Sequence, residues 1–203
     1  MDYQALTTDD LANVRELNRV WLELPGLTPP VPLTRQRRDR LAAAPSLLFS
    51  LQPADEAKWR CLLADECQHD LFRRDQPASA AKRDLQADGL AFLWSLARRN
   101  PYVARLISGA PLGWCERVAA LTLVRIQACA RSRDIAEPLL PEQSALYRRL
   151  FTHGSSGVRE KRVAAQLAVM QALLTAGRGP DHGRLAAAAC RMPAPRRRIA
   201  DEV

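Results

Sequence analysis

Apolar residues recur three and four positions apart along almost the whole chain, and no stretch of any length alternates apolar with polar residues. The first spacing stacks side chains on one face of an α-helix, whereas a half-buried strand needs the second. The pattern predicts an all-α fold, a multi-helix bundle whose helices are separated by Pro and Gly breakers. At 203 residues the chain suffices for one domain of ordinary size or two small ones.

Thr7, Thr8, Asp9 and Asp10 supply a cap and favourable acids for a first helix, with Leu11, Val14, Leu17, Trp21 and Leu24 on one stripe. Pro25-Gly26 ends it, and 28–32 is a rigid connector. Thr34 caps a short helix carrying Arg35, Arg37, Arg38 and Arg40 that stops before Pro45. The run 47–51 is too short to separate strand from helix. A third helix is expected over 54–74, with Trp59, Leu62, Leu63 and Leu71 inward, followed by a module boundary at 75–79.

Ser79 then caps a helix through Arg99 that buries Leu85, Leu90, Leu93, Trp94 and Ala97. Asn100-Pro101 opens a short helix closed by Gly109. Segments 111–119 and 122–131 read as two short helices joined by a tight turn, with Thr122 as cap. This pair has the form of a helix-turn-helix whose shared core is Trp114, Val118, Leu121, Ile126 and Cys129 or Ala130. A break at 138–141, a helix over 141–151, a turn at 154–157 and a last long helix over 158–175 complete the pattern. The expected organisation is an N-terminal helical module over 1–76, a helical domain over 79–176 and a basic flexible tail over 177–203.

Charge narrows the function classes. The chain has 30 basic and 22 acidic residues, a net +8, and only Lys58, Lys82 and Lys161 of the basic ones are not Arg. Guanidinium pairs well with phosphate, so polyanions are favoured partners, although a GC-rich genome yields the same Arg and Ala excess. The excess is uneven: residues 1–33 sum to −3, 34–52 to +3, 79–110 to +3, 141–176 to +3 and 177–203 to +3, while 111–140 give only +1.

Catalytic and metal chemistry find little support in the spacing. Five Cys (61, 67, 115, 129 and 190) form no C-x-x-C pair, and three His are scattered, so neither a disulfide framework nor a structural zinc site is expected. Glu66 and His69 share a helical face in the manner of di-iron ligands, but a second Glu-x-x-His is lacking, and a solvated polar face is the expectation. The turn from His153 to Gly157 is not G-x-S-x-G and reads as a loop and cap. No Gly-rich loop cradles a phosphate, and no cofactor is expected. No apolar run reaches the roughly 20 residues of a membrane span. Five acids before residue 25 are unlike a secretory signal, so the expectation is a non-enzymatic cytoplasmic protein. If the helix-turn-helix reads DNA, Arg117, Arg125, Gln127, Arg131 and Arg133 are its candidate DNA-binding residues.

The stretch from Leu90 to Arg131 resembles the FlhD subunit of the FlhD–FlhC flagellar master regulators. The carriers are the helix over 90–96, Ala104, Ser108-Gly109, the run Val118-Ala119-Ala120-Leu121-Thr122-Leu123, and Ala130 closing the last helix. About a fifth of the chain is covered. The resemblance implies a transcriptional activator that binds DNA as an oligomer or with an FlhC-like partner. This chain departs from that family in about eighty additional leading residues and a long Arg-rich end, and in Pro111 and Trp114. Glu137 stands where the family has an intersubunit cysteine. The alternative is an all-α adaptor or assembly component of a bacterial secretion or conjugation apparatus. The arginines separate the two: a regulator gathers Arg117, Arg125, Arg131 and Arg133 on one open face, and an adaptor pairs or scatters them.

Overall fold

The computed structural model describes residues 3–64, 79–132 and 134–176, and the expected 75–79 boundary, the Glu66–His69 pair and the 177–203 tail fall wholly or largely outside them. The described residues form a helical bundle. In chain order the helices are α1 (Thr8–Glu23), α2 (Arg35–Ala42), α3 (Glu56–Ala64), α4 (Ala80–Arg99), α5 (Pro101–Ser108), α6 (Leu112–Ala119), α7 (Leu123–Ser132), α8 (Ala145–His153) and α9 (Arg159–Ala176). One small ladder, β1 (Phe49–Ser50) with β2 (Glu137–Pro138), pairs antiparallel, Phe49 opposite Pro138 and Ser50 opposite Glu137. The ambiguous 47–51 run is therefore a strand only at Phe49–Ser50, and its partner meets the expected 138–141 break at Pro138.

α4 is the hub, because apolar residues cover more than one side of it. Leu85, Gly89, Leu93 and Leu96 continue one row, and Gln86, Leu90 and Ala97 widen it. α1, α5, α6 and α7 all pack on it. Trp94, expected in the core, is only half-buried: its indole N–H reaches out to the Leu121 carbonyl at 2.8 Å, and Arg98 lies 5.0 Å over its ring. Gly89 permits a close approach, since a Cβ there would stand 3.0 Å from Phe49 Cζ and the ring would have to shift by a few tenths of an ångström. Phe49 in turn stacks on Trp21 at 5.4 Å. One continuous apolar core thus joins residues 14–62 to residues 85–169.

The helix ends follow their cap residues. Thr34, Ser79, Asn100 and Ser144 each accept a backbone N–H of the first turn they precede. The expected 141–151 helix starts later than Pro141 for this reason, at Ala145. Gly109 closes α5 with φ +70 and admits Leu173 of α9, whose side chain would clash with a Cβ at 2.9 Å.

Thr7 and Asp10 form a reciprocal capping box on α1, and Arg99 at the end of α4 clamps the buried Asp10 carboxylate with both Nη groups. Burial pushes this carboxyl up, but hydrogen bonds from Arg99 and Thr7 and the Arg99 charge outweigh it and hold it below the ordinary value of 3.8. A depressed carboxyl contributes stability that is present above its ordinary value and lost as pH falls through the folded one. Asp10→Asn is therefore expected to lower unfolding free energy at neutral pH by about 2 kcal/mol, the worth of a charge-assisted hydrogen bond. Urea titrations at a series of pH values check this: the gap between wild type and variant should narrow below the ordinary carboxylate range. A gap independent of pH contradicts the assignment.

Candidate functional site

α6 begins after Pro111 and ends at Ala119, and the turn 120–122 leads to α7, whose first turn Thr122 caps by accepting the Arg125 N–H at 3.3 Å. Trp114, Val118, Ile126, Cys129 and Ala130 are buried as their spacing predicts, and Leu121 is half-buried. Their burial, however, is against α4, α5 and α3, and α6 and α7 make few contacts with each other. The tight pair exists, but its core is that of the bundle. A freestanding two-helix reader is not what these residues build.

α3 lies alongside the pair. Trp59 meets Trp114 edge to face at 5.1 Å, and its indole N–H donates to the Gln52 carbonyl at 3.0 Å. Gln52 has φ +51, a left-handed backbone that a non-glycine residue adopts only when its surroundings hold it. Here Lys58 Nζ donates to its Oε1, and its Nε2 donates to Glu137 Oε2 at 3.0 Å. Lys58 Nζ also reaches the Asp134 carbonyl at 3.5 Å, and Lys82 pairs with the Asp134 carboxylate at 2.8 Å. This polar network fixes the 51–55 loop, and hence α3, against the segment following α7.

The position of α3 decides where the candidate DNA-binding residues go. Arg117 faces Glu56 across 3.8 Å, an exposed pair of small energetic weight. Arg125 is half-buried and donates from Nη2 to the Leu62 carbonyl of α3 at 3.2 Å; the Cys129 thiol reaches the same carbonyl at 3.5 Å. Gln127 is exposed. The Arg131 side chain and the whole of Arg133 lie outside what the structure describes. α7 presents Leu123, Val124, Gln127 and Ala128 to solvent, with Val124 78% exposed. The outward face of the would-be reading helix is uncharged at these positions, while Arg117 and Arg125 are turned toward α3.

Cys115 is fully buried, and burial pushes its thiol up to about 12 despite the Arg105 charge, so it is not a nucleophile at neutral pH. Among the described residues no group of His, Cys, Asp and Glu is placed to hold a metal ion, and no helix is long and apolar enough to cross a membrane.

α9 carries a feature that the sequence reading missed. It packs on α8 through Ala165 and Val169, and Leu173 and Leu174 rest near the end of α5, where Arg105 Nη2 donates to the Leu174 carbonyl at 3.3 Å. Away from α8, Val163 and Leu167 stand in solvent, Leu167 at 60% exposure, and the row continues through half-buried Met170 to Leu174 at the rim of the α5 cavity. Their spacing is four, three, four, which is a coiled-coil seam. A signal was available: α9 is apolar or Ala nearly all round after its first turn, and a helix of that kind is covered on more than one side. No protein-family model, curated protein or solved structure matches the chain.

Proposed function

We propose that this chain is a non-enzymatic helical adaptor or assembly component that self-associates through α9. The observation that carries the reading is the seam of exposed Val163 and Leu167 and half-buried Met170, running to Leu174 beside α5 and turned away from Ala165 and Val169. A second copy is the occupant that fits. Over 163–174 the helix has no charged residue, and its charges are confined to Arg159, Glu160, Lys161 and Arg162 in the first turn. Antiparallel pairing sets each charged first turn beside the partner's uncharged last turn, with Gln171 and Thr175, and brings no like charges together. The 18-residue helix is about 27 Å long, enough for two heptads of overlap.

Light scattering coupled to size exclusion tests the proposal. At about 100 μM, well above the micromolar range of a modest contact, the wild type is expected as a dimer. Leu167→Glu, at the most exposed seam position, is expected to be monomeric with an unchanged helical circular dichroism spectrum. A monomeric wild type overturns the reading, as does a dimer that survives Leu167→Glu.

The FlhD-like regulator, binding DNA with an FlhC-like partner, is a second reading, supported by the tight α6–turn–α7 unit with its Thr122 cap. The engagement of Arg117 and Arg125 with α3 makes it the weaker of the two. Under it, the protein alone or with such a partner shifts its own upstream DNA in a gel, and the shift weakens steeply with salt. No shift at low salt in either case removes it.

A further inference from the structure

Four other arginines gather between α1 and α2. Arg15 and Arg19, one turn apart on α1, and Arg35 and Arg38, one turn apart on α2, line a cleft of about 300 Å³. Leu22, Glu23 and Asp39 complete its walls. Arg19 is paired with Glu16 at 2.9 Å, while Arg15, Arg35 and Arg38 make no ion pair among the described residues, and neither do Glu23 and Asp39.

A second observation points the same way. α2 carries Arg35, Arg37 and Arg38 in its first four residues and no acid in its first turn. The start of a helix bears the positive end of its dipole, so three guanidinium groups there oppose the helix they belong to. Thr34 caps it, Arg37 is anchored to the Pro32 carbonyl at 3.3 Å, and Leu41 and Ala42 bury its far end. The helix thus stands by its cap and packing, against its own charge pattern. A local rule broken without a gain to the fold marks a position shaped by something else, and an anion in the cleft reverses the sign of that conflict.

We infer that the α1–α2 cleft binds a phosphoryl group of the phosphomonoester or polyphosphate class, held by Arg15, Arg35 and Arg38. Guanidinium forks match phosphate oxygens in pairs, and neither exposed Glu23 nor half-buried Asp39 takes up these groups in an ion pair. The cleft is at the small end of ligand sites, and Leu22 is its one apolar wall, so recognition is of charge and not of a ring. The inference does not depend on α9 pairing or on DNA binding.

Calorimetric titration with pyrophosphate at low ionic strength tests it on three full-length proteins: wild type, Arg35→Gln/Arg38→Gln, and Arg148→Gln/Arg149→Gln as a control on the exposed face of α8. Wild type and control are expected to bind one equivalent saturably, and Arg35→Gln/Arg38→Gln at least about tenfold more weakly, a difference of about 1.4 kcal/mol. Because Arg35 and Arg38 are exposed, that variant is expected to melt no lower than wild type without ligand, which keeps folding apart from binding. ATP replacing pyrophosphate at similar affinity assigns the phosphate chain of a nucleotide, and exclusion of ATP assigns a free anion. Absence of saturable binding to wild type overturns the inference. Equal weakening in both variants also does so, since it reveals charge without a site.

Discussion

Asn18→Leu is expected to lower the unfolding free energy by about 4 kcal/mol, against a total of about 5–15 kcal/mol for a domain. Asn18 is fully buried on α1, in line with Val14 and Leu17. Its Oδ1 accepts the Leu48 N–H at 2.8 Å, and its Nδ2 donates to the Ala42 carbonyl at 3.2 Å and the Ser46 carbonyl at 2.9 Å. One side chain thereby satisfies three backbone groups, one at the end of α2 and two in the connector to β1. Leucine has a similar size and fits an apolar site, so the transfer term favours it. That gain is outweighed by three main-chain groups left without partners inside the core, each costing about 1–3 kcal/mol. For a protein of this size the loss corresponds to a fall in melting temperature of about 8–16 °C. Urea unfolding followed by circular dichroism measures it, and a loss below about 1 kcal/mol would show that water or rearrangement replaces these bonds.

Such residues explain what the sequence could and could not disclose. Helix ends were legible because a cap is local: Thr7, Thr34, Ser79 and Asn100 act on N–H groups within three residues. Stripes such as Val14, Leu17 and Trp21, or Ile126 and Cys129, were legible because burial repeats with the helical turn. The β1–β2 ladder was not, since two residues cannot show an alternation and the partners lie 87 or 89 positions apart. The roles of Asn18 and Gln86 were not legible either, because nothing in a helical pattern announces that a polar side chain has a distant backbone to serve. The arginines illustrate the same limit. Sequence counts a charge but not its neighbour, and what captures Arg117 and Arg125 is α3, about sixty residues upstream. The outward seam of α9 was hidden for the opposite reason, as apolar residues on both sides left no single stripe to notice.

The second large effect is expected at Gln86, fully buried on α4. Its Oε1 accepts the N–H groups of Ile135 and Ala136 at 2.7 and 2.8 Å, and its Nε2 donates to the Ala130 carbonyl at 3.2 Å. All three of these residues are themselves buried. Gln86→Leu is therefore expected to cost about 3–5 kcal/mol by the same reasoning. The two amides serve one device. Asn18 holds the chain entering β1 at Leu48, Gln86 holds the chain entering β2 at Ala136, and the Leu48 carbonyl accepts the Leu139 N–H at 3.1 Å. The ladder is thus pinned to α1 on one strand and to α4 on the other, and releasing one strand takes from the second pin part of what it holds in place. Distant, independent sites add within about 0.5 kcal/mol, whereas sites coupled through one backbone element do not. The Asn18→Leu/Gln86→Leu double variant should therefore lose at least about 1 kcal/mol less than the sum of the single losses. In native-state hydrogen exchange, either single variant should reduce protection at both Leu48 and Leu139 while the centre of α4 keeps its own. Strict additivity, with protection lost only beside the mutated residue, would mean that the two amides act on separate parts of the fold.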